Sequence, residues 1–88
     1  MNIDETLKER GSRYGEFSEH ARITQEIKRA LKSGVSWEKC TDGQKEALEM
    51  IAHKLGRIVN GDPNYADSWV DTGGYARLGE NEKEKGND

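Results

Sequence analysis

The chain has 88 residues with a formal net charge of -3; 32% of the residues are hydrophobic and 35% are charged. Such a length suits one domain with a small core, so self-association is expected as a way to bury more apolar surface. The acidic balance argues against general nucleic-acid binding. No apolar run approaches the roughly 18 residues of a membrane span, which argues against a membrane partner.

The single cysteine, Cys40, excludes a disulfide within the chain. With no histidine or second cysteine close in sequence, a buried or incidental thiol is favoured, and a nucleophilic role would require a base that the sequence does not identify. The first residues, Met1 to Glu5, are acidic and lack the apolar region of a signal peptide. A free thiol and this start together predict a cytoplasmic location.

Two helices are predicted in the first half of the chain. Ile3 and Leu7 lie one helical turn apart and predict a short first helix that ends at Gly11. The second helix is predicted over residues 17–32, with Ser18 as its candidate N-cap. Its apolar residues repeat at the spacing of one helical face.

The segment from Arg10 to Gly15 is predicted to be a loop between these helices, because two glycines bracket its basic and aromatic residues. In one interpretation it is a plain connection in which Tyr14 covers an edge of the core. In the other, Arg10 and Arg13 meet an anion together with backbone N–H groups that the glycines leave free.

The third helix has the clearest apolar stripe in the chain and is predicted to be central to the core. Thr41 or Asp42 is its candidate N-cap, and Thr41 with Gln44 has the spacing of a capping box. The stripe consists of Leu48, Ile51, Ala52, Leu55, Ile58 and Val59. Asn60 and Gly61 close the helix, and the short turn that follows predicts an antiparallel helix pair.

The fourth helix is predicted from about Tyr65 to Leu78, and one of its sides suits packing on the third helix. That side carries Ala66, Trp69, Val70, Gly73 and Ala76. The adjacent Gly73 and Gly74 indicate a very close neighbour, a kink or a helix end. Residues 79–88 are polar and are predicted to be a disordered tail. The fold prediction is therefore an all-α domain over residues 1–78, with three to four helices built around a C-terminal antiparallel hairpin.

Four carboxylates on the two helices of this hairpin are candidate metal ligands: Glu46, Glu49, Asp67 and Asp71. Oxygen ligands of this kind suit Mg²⁺ or Mn²⁺, which would grip a phosphate chain and activate water. The alternative is structural, because Lys54 and Arg57 lie near the connecting turn and are placed to neutralise Asp67 and Asp71. A helical wheel favours this ion pairing.

His20 and His53 are single histidines on predicted helices, without the partner spacing of a zinc site, and a surface or edge role is favoured for each. Trp69 and Tyr75 have the shape to stack on a base, but in so small a core packing is the favoured role.

Three segments in this order resemble a family of small uncharacterised proteins encoded by bacteriophages and prophages. They are Arg13-Tyr14-Gly15, EALEMIAHKLGRIVNGDP and ADSWVDTGGYARL, within residues 8–78. This resemblance implies a domain of unknown function. More distantly, the chain is similar to the all-helical MazG-type nucleoside triphosphate pyrophosphohydrolases, which bind Mg²⁺ through paired acidic residues and form dimers or tetramers. Glu46 and Glu49 match the first acidic pair, whereas Asp67 and Asp71 are spaced by four residues instead of three.

The leading prediction is a phage or prophage accessory protein that acts by binding and not by catalysis, in the cytoplasm of a bacterial host. Its partner would be an unknown phage or host protein, and no cofactor is expected. The candidate contact residues are Arg13, Tyr14, Lys54, Arg57 and Tyr75, together with Asp67 and Asp71. The alternative is a Mg²⁺-dependent pyrophosphohydrolase in which the four carboxylates hold the metal and Lys54 or Arg57 contacts the phosphates.

Overall fold

The computed structural model describes residues 2–83, and this part of the chain is all-α, as predicted. The four helices are α1 (Ile3–Tyr14), α2 (Phe17–Lys32), α3 (Asp42–Asn60) and α4 (Ala66–Asn81), with a short 3-10 helix at Trp37–Lys39 before α3. Between residues 2 and 83, no helix has the length and apolar character needed to cross a membrane. The predicted disorder of residues 84–88 lies outside the described residues.

The helices α3 and α4 form the predicted antiparallel hairpin. At the far end from the turn, Gly79 of α4 lies against Ala47 of α3, and Glu82 lies over Gly43. Helix α3 begins at the predicted capping box, because the Thr41 side chain accepts from the backbone of Gln44 and the Gln44 side chain accepts from the backbone of Thr41. These contacts hold the C-terminal end of α4 against the N-terminal end of α3.

Helix α1 is longer than the sequence predicts. It continues through Gly11 to Tyr14 and ends at Gly15, whose φ of 78° is a backbone conformation that favours glycine. Gly11 has open space on all sides, so it costs helix stability without stopping the helix. The loop predicted at residues 10–15 is therefore wrong, and Arg10, Arg13 and Tyr14 are helical side chains. The Ser18 cap is also wrong: α2 has Glu16 at its N-cap position, with no side-chain hydrogen bond.

The predicted packing face of α4 is wrong. Trp69 and Val70 are 56% and 69% exposed, and a Cβ added at Gly73 or Gly74 would meet nothing within 4 Å. Helix α4 is continuous through both glycines and ends at Asn81, three residues beyond the predicted boundary. The buried side of α4 instead carries Ser68, which is 3% exposed. Polar and small residues on this side permit close packing. Because they form no apolar stripe, the sequence pattern does not identify this side as the packing face.

The core is thin. Its buried apolar residues are Trp37, Ala47, Ala52 and Ile58, and no large side chain among the described residues is fully buried. Helix α3 contacts each of the other three helices, as its stripe predicts. The molecule measures 48 × 24 × 23 Å along its principal axes. So elongated a shape leaves little room for a central core.

The turn between α1 and α2 is joined to the turn between α3 and α4. The Nδ2 group of Asn60 donates to the carbonyl oxygens of Tyr14 and Glu16, at 2.8 and 3.0 Å, and the backbone N–H of Asp62 donates to the carbonyl oxygen of Arg13 at 2.6 Å. Gly61 lies directly against the backbone of Arg13 and Tyr14. Two segments that are distant in sequence are thus held together, and this contact fixes the N-terminal end of α2 beside α3.

Candidate functional site

A cleft of about 710 Å³ opens between α1, the first turns of α2 and the second half of α3. We call it the histidine cleft. Its lining comprises two arginines, two histidines, the apolar and aromatic side chains around them, and the turn that precedes α2: Arg10, Arg57, His20, His53, Leu7, Tyr14, Phe17, Gly11, Gly15 and Glu16. Clefts that hold small molecules typically measure about 300–1,000 Å³ and combine apolar walls with a few polar groups. The histidine cleft fits this description.

The two histidines meet on the inner wall of the cleft. Nε2 of His20 lies 3.3 Å from Nδ1 of His53, and the ring centroids are 4.7 Å apart with the planes nearly perpendicular. At this distance one ring donates and the other accepts. The hydroxyl oxygen of Thr24 lies 3.4 Å from the same Nε2 of His20. His20 is only 6% exposed, and its Nδ1 is buried against Gly56 of α3.

Both histidines are held in their neutral form. Burial lowers the pKa of His20 and of His53, and the nearby positive charge of Arg57 lowers the pKa of each further. The pKa of His53 falls to about 4, with smaller contributions from His20, Lys54 and Lys28. At neutral pH the pair therefore offers polar atoms to the cleft without adding charge.

Arg57 supplies a permanent positive charge at the cleft. Its guanidinium lies 4.0 Å from the centroid of the Tyr14 ring, a stacking contact that fixes its position. Within residues 2–83 it forms no ion pair with a carboxylate and no hydrogen bond. Because an arginine in a protein does not lose its proton, its donors remain available to an acceptor at any ordinary pH.

The four predicted metal ligands do not come together. Glu49 pairs with Lys32 at 3.3 Å, and Asp71 pairs with Lys54 at 3.0 Å. Asp67 accepts a hydrogen bond from the hydroxyl of Tyr65 at 3.1 Å, which raises the pKa of that tyrosine. Glu46 is exposed on α3. No group of three or more acidic, histidine or cysteine side chains in the described part of the chain is placed to hold a metal ion.

The predicted ion pairing across the hairpin is realised between Lys54 and Asp71. Arg57 does not join it, because its guanidinium lies on Tyr14 instead.

The remaining candidate residues lie apart from one another. Arg13 pairs with Glu9 one turn earlier on α1 and lies 5.2 Å from the ring centroid of Tyr65. Tyr75 lines a second, smaller pocket of about 390 Å³ between α3 and α4, together with Cys40. The structure thus brings Tyr14 and Arg57 into one cleft and leaves Arg13, Lys54 and Tyr75 outside it.

Sequence reasoning missed the histidine pair because the two residues are separated by 33 positions and lie on different helices. One sequence signal points to it. Gly56 on α3 follows His53 by three residues, and glycine inside a helix marks a close neighbour. A Cβ at Gly56 would overlap the Thr24 hydroxyl and approach Nδ1 of His20 to 3.1 Å.

The folded protein is expected to lose stability as the pH falls from 6.5 towards 4. Both histidine pKa values are lowered on folding, so in this range the unfolded chain binds more protons than the folded chain. Stability from this source is full above pH 6.5 and is lost as pH falls. Because His53 is only half-buried, the loss is about 1–2 kcal/mol, less than the full pKa shift would give.

The measurement is urea unfolding between pH 7.5 and 4, compared with a His53→Gln variant. The variant keeps every other ionisable group of the chain, so the difference between the two curves isolates the contribution of His53. Parallel curves for the two proteins would contradict the prediction.

Comparison with known proteins gives one family. A family model described as a domain of unknown function, DUF6378, matches residues 3–83, which include all four helices. No curated protein and no solved structure shows a significant match.

Proposed function

Because the chain belongs to the DUF6378 family, a domain of unknown function, we propose its function from the site: it is a small helical binding module that takes up a small ligand in the histidine cleft. The observation that carries the proposal is the cleft itself. It has a volume of about 710 Å³ and places apolar walls beside an arginine that no carboxylate pairs with in residues 2–83. These are the features of a ligand site.

Binding is proposed in preference to catalysis because of how the carboxylates are used. Two of the four that a pyrophosphohydrolase would need, Glu49 and Asp71, already form ion pairs with lysines. The two histidines of the cleft lie against each other, and His20 also lies beside Thr24.

The test is an NMR titration with three small aromatic probes of different charge: phenol, benzylamine and benzoate. At least one is expected to give saturable shifts in the cleft at millimolar concentration. A Gly11→Trp variant fills the cleft from α1, where Gly11 has open space, and should abolish these shifts. Val35→Trp is the control, since it adds the same side chain at a residue that is 96% exposed and lies outside the cleft. If no probe shifts the cleft resonances, the proposed function fails.

The proposal includes association with a second copy of the chain. Support comes from the thin core and from apolar side chains exposed on the hairpin, where Val59, Val70 and Leu78 are between 58% and 69% exposed. The open space beside Gly73 and Gly74 allows another helix to approach α4 closely. Light scattering at about 100 μM is the test: twice the chain mass of 9.9 kDa is expected, and a monomer would contradict this part.

Two further parts of the proposal are supported only by the resemblance of the three sequence segments described above: a phage or prophage origin, and a partner supplied by the phage or the host. A cytoplasmic location is proposed because the free thiol of Cys40 suits a reducing compartment.

A further inference from the structure

We infer that the ligand of the histidine cleft is a small organic oxyanion, in which a carboxylate or phosphate group is attached to an apolar or aromatic body. This inference builds on the proposed function and adds the chemical class of the ligand. It is argued from three features of the cleft: the arginine, the N-terminus of α2 and the apolar rim.

Arg57 is the first feature. The residue is half-buried, and its guanidinium is held against Tyr14 at 4.0 Å from the ring centroid. Six of the twelve other lysines and arginines in residues 2–83 have carboxylate partners, including Arg13, Arg22 and Lys54. A half-buried charge without a counter-ion is costly, and a bound oxyanion would supply the missing acceptor with paired hydrogen bonds. Arg10 lies on the α1 wall of the same cleft and adds a second positive charge.

The N-terminus of α2 is the second feature. The cleft is lined there by Gly15, Glu16 and Phe17, and no side chain caps the free N–H groups of the first turn. A helix of 16 residues directs a partial positive charge to this end, which favours a bound anion. His20 follows one turn further on; it is 6% exposed and directs its Nε2 at Nδ1 of His53.

Leu7 and Phe17 are the third feature. They line the mouth of the cleft and are 60% and 80% exposed. Such exposure leaves apolar surface for the body of a ligand to cover, so a bare inorganic ion would use only part of the site. Glu16 also lines the cleft, and its negative charge opposes anion binding. Removing the negative charge of Glu16 is therefore an independent test, because it should strengthen the binding of an anion.

The experiment is an NMR titration of the full chain at pH 7.5 with phenyl phosphate, benzoate, phenol and inorganic phosphate. Phenyl phosphate and benzoate are expected to shift the resonances of His20, His53 and Arg57 with saturation, and the tighter of the two identifies the oxyanion. Phenol should bind at least tenfold more weakly, because it lacks the charge. Inorganic phosphate should bind about tenfold more weakly than phenyl phosphate, because it lacks the ring.

Three variants assign the effect to residues. Arg57→Gln is expected to raise the Kd of the tighter anion at least tenfold. Arg29→Gln removes the same charge from an exposed site on α2 outside the cleft and should change that Kd by less than twofold. Glu16→Gln should lower the Kd of the same anion about threefold. This last variant keeps the inference falsifiable should Arg57→Gln fail to fold.

The results separate the two proposals. Equal affinity for phenol and phenyl phosphate would overturn the oxyanion inference and leave the binding module in place. Two other results would overturn the oxyanion inference alone. One is an Arg57→Gln variant that binds the anion as tightly as Arg29→Gln does, and the other is a Glu16→Gln variant that binds it no more tightly than the wild type. Absence of cleft shifts with every probe would overturn both.

Discussion

Replacing Gly61 with alanine is expected to lower the free energy of unfolding by about 3 kcal/mol, at the upper end of the usual cost of forcing extra volume into a packed site. A Cβ at this position would overlap the carbonyl oxygen of Arg13 and the Cα of Tyr14. Both are backbone atoms, so no side chain can rotate away. The turns can separate only by breaking the hydrogen bonds from Asn60 and Asp62. Urea unfolding measures the loss.

Gly73→Ala is the matched control for this substitution. It adds the same methyl group to a helical glycine whose surroundings are open. Here the alanine is expected to stabilise the protein by about 1 kcal/mol, because glycine is the poorer helix former. A Gly61→Ala variant that unfolds at the same urea concentration as the wild type would show that the two turns are not in contact.

Replacing Gly56 with alanine is expected to lower the free energy of unfolding by about 2–3 kcal/mol. Its Cβ would overlap the hydroxyl oxygen of Thr24, a residue that is only 4% exposed. Helices α2 and α3 would be pushed apart at the point where His20 meets His53.

A second substitution tests the cause of this loss. Thr24→Ala removes the overlapping hydroxyl, so adding it to Gly56→Ala should recover at least half of the lost stability. Thr24→Ala alone is expected to cost about 1 kcal/mol, the ordinary cost of losing a buried hydrogen-bonding group. The four proteins form a double-mutant cycle. Simple additivity of the two single effects would mean that α2 and α3 do not meet at these residues.

The helices and their order could be predicted from the sequence, because periodicity and capping are local properties. The stripe on α3 identified the central helix, and the spacing of Thr41 and Gln44 identified its start. The short turn before α4 correctly predicted the antiparallel hairpin. The end of α1 was predicted wrongly because the first glycine, Gly11, was taken as the helix end. The helix in fact continues to Tyr14 and ends at Gly15.

What could not be predicted depends on contacts between distant parts of the chain. The packing side of α4 is marked by Ser68 and Gly79, which carry no hydrophobic signal, while Trp69 and Val70 face away. Tyr14 and Arg57 were identified one by one as candidate contact residues, but only the fold stacks one on the other. Predicting the histidine pair requires knowing which residues of α2 lie opposite which residues of α3. The apolar pattern of one helix does not contain that information.

Helix α1 contains no buried residue, although it forms one wall of the histidine cleft. An element that buries so little apolar surface opens locally at a lower free energy than the whole domain, and its amides exchange with solvent earlier than those of α3. The opening is expected to stop before Gly15, because Asn60 holds the carbonyl oxygens of Tyr14 and Glu16 on either side of it. Occupancy of the cleft and closure of α1 are consequently linked equilibria: whatever fills the space also protects the first helix of the chain from hydrogen exchange.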